Sequence, residues 1–275
     1  MIHHEARGSG ATVLLLHSGG MSGRQWRRLA ELLSSDHRVL VPDFLGSGAN
    51  APWPPDAPFD FRDDVRAVEA LLDPTDVPHV VGHSYGGLIA CTLALRRPVR
   101  TLTAFDPPAF GVLRDPDDHI GLADLAFVAD DLLVLDETSG GDPAWLELFV
   151  DYWNGRGAWS AMPAPAKESF SRVGRKVFYE VRSLLADRTP ARAYSGVTAP
   201  TLLLTGEASP VAARQVVQLL TAAIPHASVT TIEGAGHMAP VTHAGVVNAL
   251  IRDFVTLVEA DDGAAVPGRP PQAES

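Results

Sequence analysis

The stretch Gly82-His83-Ser84-Tyr85-Gly86 limits what this chain can fold into more than any other. Before it runs Val77-Pro78-His79-Val80-Val81, short, β-branched and opened by a region with proline, which predicts a buried strand. After it, residues 87–95 are rich in Ala and Leu, which predicts a helix. A strand that becomes a helix through G-x-S-x-G sets its serine on a strained turn with the hydroxyl exposed. Glycine is expected at 82 and 86 because a Cβ there would meet the neighbouring strand and helix. Five such residues also arise by chance in a Gly-rich chain. The strand–turn–helix setting is what makes Ser84 a candidate nucleophile.

Two further segments complete the pattern. Thr12-Val13-Leu14-Leu15-Leu16 predicts a buried strand running into His17-Ser18-Gly19-Gly20. The backbone N–H of Gly19 and that of Tyr85, the residue after the serine, are the expected oxyanion-hole donors. Gly19 and Gly20 let backbone approach a substrate, whereas His17 and His83 are expected to be structural. Near the other end, Ala227–Ile232 predicts a strand, followed by Gly234-Ala235-Gly236-His237-Met238 and a helix over about 241–258. A histidine in a Gly-rich loop after the last strand can take the serine's proton, which makes His237 the candidate base. His243, one turn into the helix, reads as a surface or capping residue.

On these three motifs, His17-Ser18-Gly19-Gly20, Gly82 to Gly87 and Gly234 to Met238, the chain resembles the α/β-hydrolase superfamily. It looks most like the bacterial serine esterases and haloperoxidase-like members. The resemblance implies an α/β fold with a mostly parallel central sheet flanked by helices. It also implies a helical cap inserted between two core strands, and a Ser-His-acid triad. One position departs from the family. After the strand Pro200 to Thr205, where most relatives carry Gly-x-x-Asp, the chain reads Gly206-Glu207-Ala208-Ser209. A serine at 209 cannot stabilise an imidazolium. Asp106, ending the strand Thr101–Phe105 and followed by Pro107 and Pro108, is the first candidate for the acid. Glu207 is the second. An Asp in that place sits at the carboxyl edge of a parallel sheet, where ligands bind, and some members of the superfamily place their acid there.

The alternation of strand and helix predicts crossover connections. Arg38 to Pro42 is the next strand, and Asp43 after it is expected to hold a turn. Core strands pause after Phe105 and resume at Pro200, an interval of more than 90 residues too long for a simple connection. The expected organisation is a core of 1–110 and 196–259, a helical cap of 111–195, and a disordered tail of 260–275. The cap carries helical patterns over 143–153 and 170–185. Its Trp145, Trp153 and Trp159 could line an apolar pocket or pack the cap onto the core. Arg172, Arg175 and Lys176 read as a solvated basic face.

The formal net charge of −11 argues against nucleic-acid binding. The single cysteine, Cys91, permits no internal disulfide and fits a reducing cytoplasm. The N-terminus lacks a signal pattern and no apolar run approaches a membrane span. The expectation is a cytoplasmic hydrolase of a small-molecule ester or lactone, without metal or cofactor. Alternatives are a cofactor-free perhydrolase, a C–C bond hydrolase, or a receptor-like binding protein on the same scaffold. A nucleophilic serine argues against dehalogenase and epoxide hydrolase chemistry, which need a carboxylate there.

Overall fold

The computed structural model describes residues 1–54, 57–114, 119–129 and 136–264. Seven strands among them form one sheet: β1 (His4–Arg7), β2 (Ala11–Leu16), β3 (His37–Pro42), β4 (His79–His83), β5 (Thr101–Phe105), β6 (Thr201–Gly206) and β7 (Ala227–Ile232). Their order is β1-β3-β2-β4-β5-β6-β7. All neighbours are parallel except β1, which pairs antiparallel with β3. Sequence reasoning missed β1 because His4-Glu5-Ala6-Arg7 is polar and mostly exposed, as an edge strand can be.

The inner strands are buried on both faces, and successive side chains alternate between two cores. Leu14, Leu16, Val80, Leu102, Ala104 and Leu203 point into one core. It is covered by the helices α2 (Phe61–Glu69), α3 (Tyr85–Arg96) and α8 (Val211–Ala223). Val13, Leu15, Val81, Phe105, Leu202 and Leu204 point into the other, beneath α1 (Arg27–Leu33) and α10 (Ala244–Ala264). Each fully buried Leu or Val contributes about 1.5–3 kcal/mol relative to exposure. Cys91 lies within the first core, and burial pushes its thiol up to about 12.

Between β5 and β6 lie α4 (His119–Ala129), α5 (Pro143–Asn154), α6 (Ala158–Ala161) and α7 (Ala164–Ala186). α5, α6 and α7 build a third cluster around Trp145, Trp159, Val177 and Phe178, while α4 packs through Leu125 onto the first core. After β7 comes α9 (Ala239–Thr242), a short turn that separates the His237 loop from α10. The expected disordered tail needs correction at its start. Residues 260–264 continue α10, because the helix's apolar stripe through Val247, Ile251 and Val255 carries it past the point where composition turns polar. Residues 265–275 lie outside the described residues. No helix among the described residues is long and apolar enough to cross a membrane.

Candidate active site

Every segment singled out by sequence ends at the carboxyl edge of the sheet. Ser84 follows β4 at φ 51° and ψ −122°, and its amide donates to Phe105 O at 2.8 Å. Among the described non-glycine residues, only Ser84 and Asp106 (φ 42°) have positive φ. Strain of this kind costs on the order of 1–3 kcal/mol per residue and persists where the surroundings overdetermine it. Those surroundings are visible. A Cβ on Gly82 would collide with the Gly86 backbone, and one on Gly86 with the carbonyls of Leu16 and His17. Gly87 lets Pro107 approach to 3.2 Å from the place its Cβ would occupy. The two strained loops are therefore packed against each other.

His237 Nε2 is 2.9 Å from Ser84 Oγ, and His237 Nδ1 is 3.1 Å from Asp106 Oδ2. All three side chains are buried. The second candidate acid, Glu207, does not reach the histidine. Its carboxylate accepts the Gly234 amide at 2.9 Å and braces the loop that carries His237. Ser209 takes an unforeseen part: its hydroxyl donates to Asp106 Oδ2 at 2.6 Å and accepts from the Gly206 amide at 3.1 Å. The residue standing at the family's usual acid position thus holds the carboxylate that comes from the neighbouring strand.

His17 and His83 are both buried in structural bonds. His17 Nδ1 donates to Ser18 O at 2.7 Å, and its Nε2 accepts the Phe44 amide at 3.1 Å. Burial lowers its pKa to about 4, so it stays neutral. A peptide's C=O and N–H point in opposite directions, so holding Ser18 O also sets the direction of the Gly19 N–H. His83 Nε2 donates to the His237 carbonyl at 2.9 Å, while its Nδ1 accepts from Gln25 Nε2 at 3.0 Å. Gln25 Oε1 in turn accepts the Ser18 amide at 3.0 Å. This line links the Gly19 loop to the His237 loop, and burial, aided by the nearby His237, pushes the His83 pKa well down. Sequence reasoning overlooked Gln25, whose one signal is its position in the polar segment after Gly20. Asp43 holds its turn as expected, accepting amides from Gly23 and Ala49.

A cleft of about 640 Å³, measured out to its open mouth, lies over Ser84. Gly19, Tyr85, Phe110, Trp145, Phe149, Trp153 and Leu184 are among its mostly apolar walls. Trp153 stacks on His237 with ring centroids 4.0 Å apart and shields one face of the imidazole from water. Trp145 also lines the cleft. Trp159 does not: it packs within the third cluster beside Met162, with Lys167 over its ring, because α6 turns it away.

The expected basic face on α7 is also corrected. Arg172 pairs with Glu168, and Arg175 donates to the carbonyls of Glu137 and Gly140. Lys176 is buried, because its stem continues the apolar stripe of α7 and its ammonium finds Asp64 at 2.9 Å and Glu180 at 2.7 Å. Burial works against the Lys176 charge, but the two carboxylates outweigh it and raise its pKa. Burial raises the Glu180 carboxyl, with Asp64's charge adding to the effect. Tyr85 OH also donates to Asp64, at 2.7 Å. Glu180 lines the cleft beside Gly19 and brings a carboxylate into otherwise apolar walls. No sequence pattern pointed to it, since Glu180 reads as one more polar residue on a long helix.

Comparison with known proteins agrees with this architecture. RutD of Variovorax paradoxus (strain S110), provisionally named a carbamate hydrolase, is 28% identical over 94% of this chain and 97% of its own length. The lipase LipV of Mycobacterium tuberculosis (strain ATCC 25618 / H37Rv) is 44% identical over 35% of this chain and 37% of its own. In structure the chain is similar to an alpha/beta hydrolase from Sphaerobacter thermophilus DSM 20745, with a TM-score of 0.69 and 24% identity over 92% of this chain and 96% of that one. The profile described as the alpha/beta hydrolase family matches residues 13–250. The chain therefore belongs to the alpha/beta hydrolase family, and its relatives are hydrolases.

Proposed function

We propose that this protein hydrolyses a carboxylic ester or lactone through an acyl-enzyme on Ser84. The observation that carries the proposal is the hydrogen-bonded line Ser84–His237–Asp106 opening into an apolar cleft. His237 Nε2 takes the proton as Ser84 Oγ attacks the carbonyl carbon. The amides of Gly19 and Tyr85 receive the developing oxyanion. His237 returns the proton to the leaving alkoxide, and water activated by the same nitrogen releases the carboxylic acid. Asp106 stabilises the imidazolium that forms. Trp145 and Trp153 contribute apolar surface to the substrate site.

A carbamate is the second reading, and two observations favour it. One is the likeness to RutD along nearly the whole chain. The other is Glu180, an acceptor beside Gly19 that suits a substrate N–H and repels an anionic acyl group. The test is fluorophosphonate labelling and turnover of short p-nitrophenyl esters, followed by a matched ester and carbamate pair. Wild-type protein is expected to label at Ser84 and turn over. Ser84→Ala is expected to lose labelling and to drop turnover by 10⁴-fold or more, up to about 10⁶-fold. More than a tenth of wild-type turnover in Ser84→Ala would overturn the serine mechanism.

A further inference from the structure

At the opposite edge of the sheet, three residues far apart in sequence meet. His37 opens β3, His79 opens β4, and Glu259 lies on α10. Their donor atoms all fall within 4.8 Å of one another. Both histidines are buried, and Glu259 is partly exposed. We propose that His37, His79 and Glu259 bind a divalent transition-metal ion of the zinc class, which fastens α10 to the starts of β3 and β4.

The hydrogen bonds decide which nitrogens face the site. His37 Nδ1 lies 3.2 Å from Leu33 O, and a carbonyl can only accept, so Nδ1 carries the proton. His79 Nδ1 lies 2.9 Å from Thr101 Oγ1, which leaves its Nε2 directed at the site. Both imidazoles turn Nε2 towards Glu259, and His37 does so with a lone pair available. His37 Nε2 is 3.2 Å from Glu259 Oε2, and His79 Nε2 is 3.4 Å from Glu259 Oε1. His79 Nε2 is buried and has no aligned hydrogen-bond partner among the described residues. The His37 Nε2 lone pair, facing a carboxylate oxygen at 3.2 Å, repels it unless something positive lies between them.

A metal ion meets that need. A tetrahedral site with bonds of about 2.0–2.2 Å has edges of roughly 3.3–3.6 Å, close to both separations. An Nδ1–H held by an oxygen acceptor is also how metal-binding histidines are oriented. Two imidazoles and a carboxylate are a borderline-soft donor set that suits zinc and its neighbours. The partly exposed side of Glu259 leaves room for a water ligand. The neighbouring cation is Arg100, whose Nη1 lies 3.5 Å from Glu259 Oε1, a long contact that leaves Oε2 to His37. The rival to a metal is a proton shared between an imidazole and Glu259.

The experiment is titration of chelator-treated protein with Co²⁺ near neutral pH, followed by Zn²⁺. The expected result is one Co²⁺ per chain with the visible absorption of a low-coordinate nitrogen and oxygen site, removed when Zn²⁺ displaces it. Glu259→Gln and His79→Gln should each weaken binding on the order of a hundredfold. A His3→Gln/His4→Gln variant controls for the exposed N-terminal histidines and should bind as wild type does. If His79→Gln fails to fold, Glu259→Gln carries the comparison, because its side chain is partly exposed. A wild-type protein without the visible bands would overturn the proposal and leave the proton in place of the metal. Bands of equal strength and affinity in Glu259→Gln would overturn it too.

Discussion

His237 and His79 stand at opposite edges of the same sheet and are held in the same way. Each places Nδ1 against an oxygen at one end of β5: Asp106 just past its end for His237, Thr101 at its start for His79. They differ in what faces Nε2. At the carboxyl edge it is the Ser84 hydroxyl, which has a proton to give. At the amino edge it is a carboxylate, which has none. His17 is a third case, with its Nε2 facing the Phe44 N–H. The same side chain, locked the same way, is set towards proton transfer, metal binding or plain support by the group opposite its second nitrogen. The Nδ1 partner matters most where it is charged, since an anion also stabilises the imidazolium, whereas a hydroxyl or carbonyl only orients the ring.

The strongest way to break this comparison is to remove that anion. Asp106→Asn keeps the shape, removes the charge and can present a donor to Nδ1, leaving the wrong tautomer. Turnover of a p-nitrophenyl ester should fall on the order of 10⁴-fold. Glu207→Gln keeps an acceptor for Gly234 and should stay within about threefold of wild type, on the scale of an exposed side chain. With both variants shown to be folded by circular dichroism, the reverse ranking would make Glu207 the acid.

Ser209 tests the same carboxylate from the other side. Ser209→Ala removes a short hydrogen bond to a buried charge, worth about 1.5–3 kcal/mol, and turnover should fall on the order of tenfold. Ser209→Asp should be worse at neutral pH. Two carboxylates would then face each other across a gap that now holds a 2.6 Å hydrogen bond, and one must protonate. Added to Asp106→Asn, the same change supplies the missing charge from the neighbouring strand. Part of the lost turnover should return. No recovery in the double variant would show that the carboxylate works only from the β5 loop.

His17 sharpens the comparison through stability. Its folded pKa of about 4 lies below its ordinary 6.5. A group with a lowered folded pKa contributes stability that is complete above pH 6.5 and is lost as pH falls towards 4. The slope reaches at most about 1.4 kcal/mol per pH unit for one histidine. Melting temperatures measured between those pH values should fall for wild type and fall less steeply for His17→Gln, which starts lower at neutral pH. Parallel profiles would mean that His17 is not held neutral by the fold.

The sheet was legible because its inner strands are short apolar runs and because glycines mark the turn at Ser84. The reaction line was legible for a related reason. Ser84, Asp106 and His237 each lie in the turn or loop after a predicted strand, so a parallel sheet collects them at one edge. What stayed hidden depends on side-chain direction within helices or on very long separations. Trp153 and Trp159 look alike in sequence, yet one stacks on His237 and the other packs inside α6 and α7. Lys176 looks like a surface cation until α7 is laid over Asp64. Ser209 looks like a lost acid, although its hydroxyl serves the acid next door. The His37–Glu259 contact spans 222 positions, and no local pattern records it.

The smallest expected effect concerns the amino edge, where the Nδ1 partner is neutral. Thr101→Val keeps the shape of the side chain but removes the oxygen 2.9 Å from His79 Nδ1, the acceptor for its proton when a metal takes Nε2. Thr101 sits at the start of β5, while Asp106 follows its far end, so ester turnover should not change. The freed imidazole can exchange its tautomer and turn a protonated Nε2 towards Glu259, forming a hydrogen bond where the metal would bind. Co²⁺ affinity should therefore drop by about tenfold, the low end of what an orienting partner is worth, with Glu259 still in place. Histidine resonances in a nitrogen-15 spectrum would show Nδ1 as the protonated nitrogen of His79 in wild type and a mixture in Thr101→Val. A turnover loss as large as that of Asp106→Asn would mean that the two edges are coupled, and the difference drawn between a charged and a neutral partner would not hold.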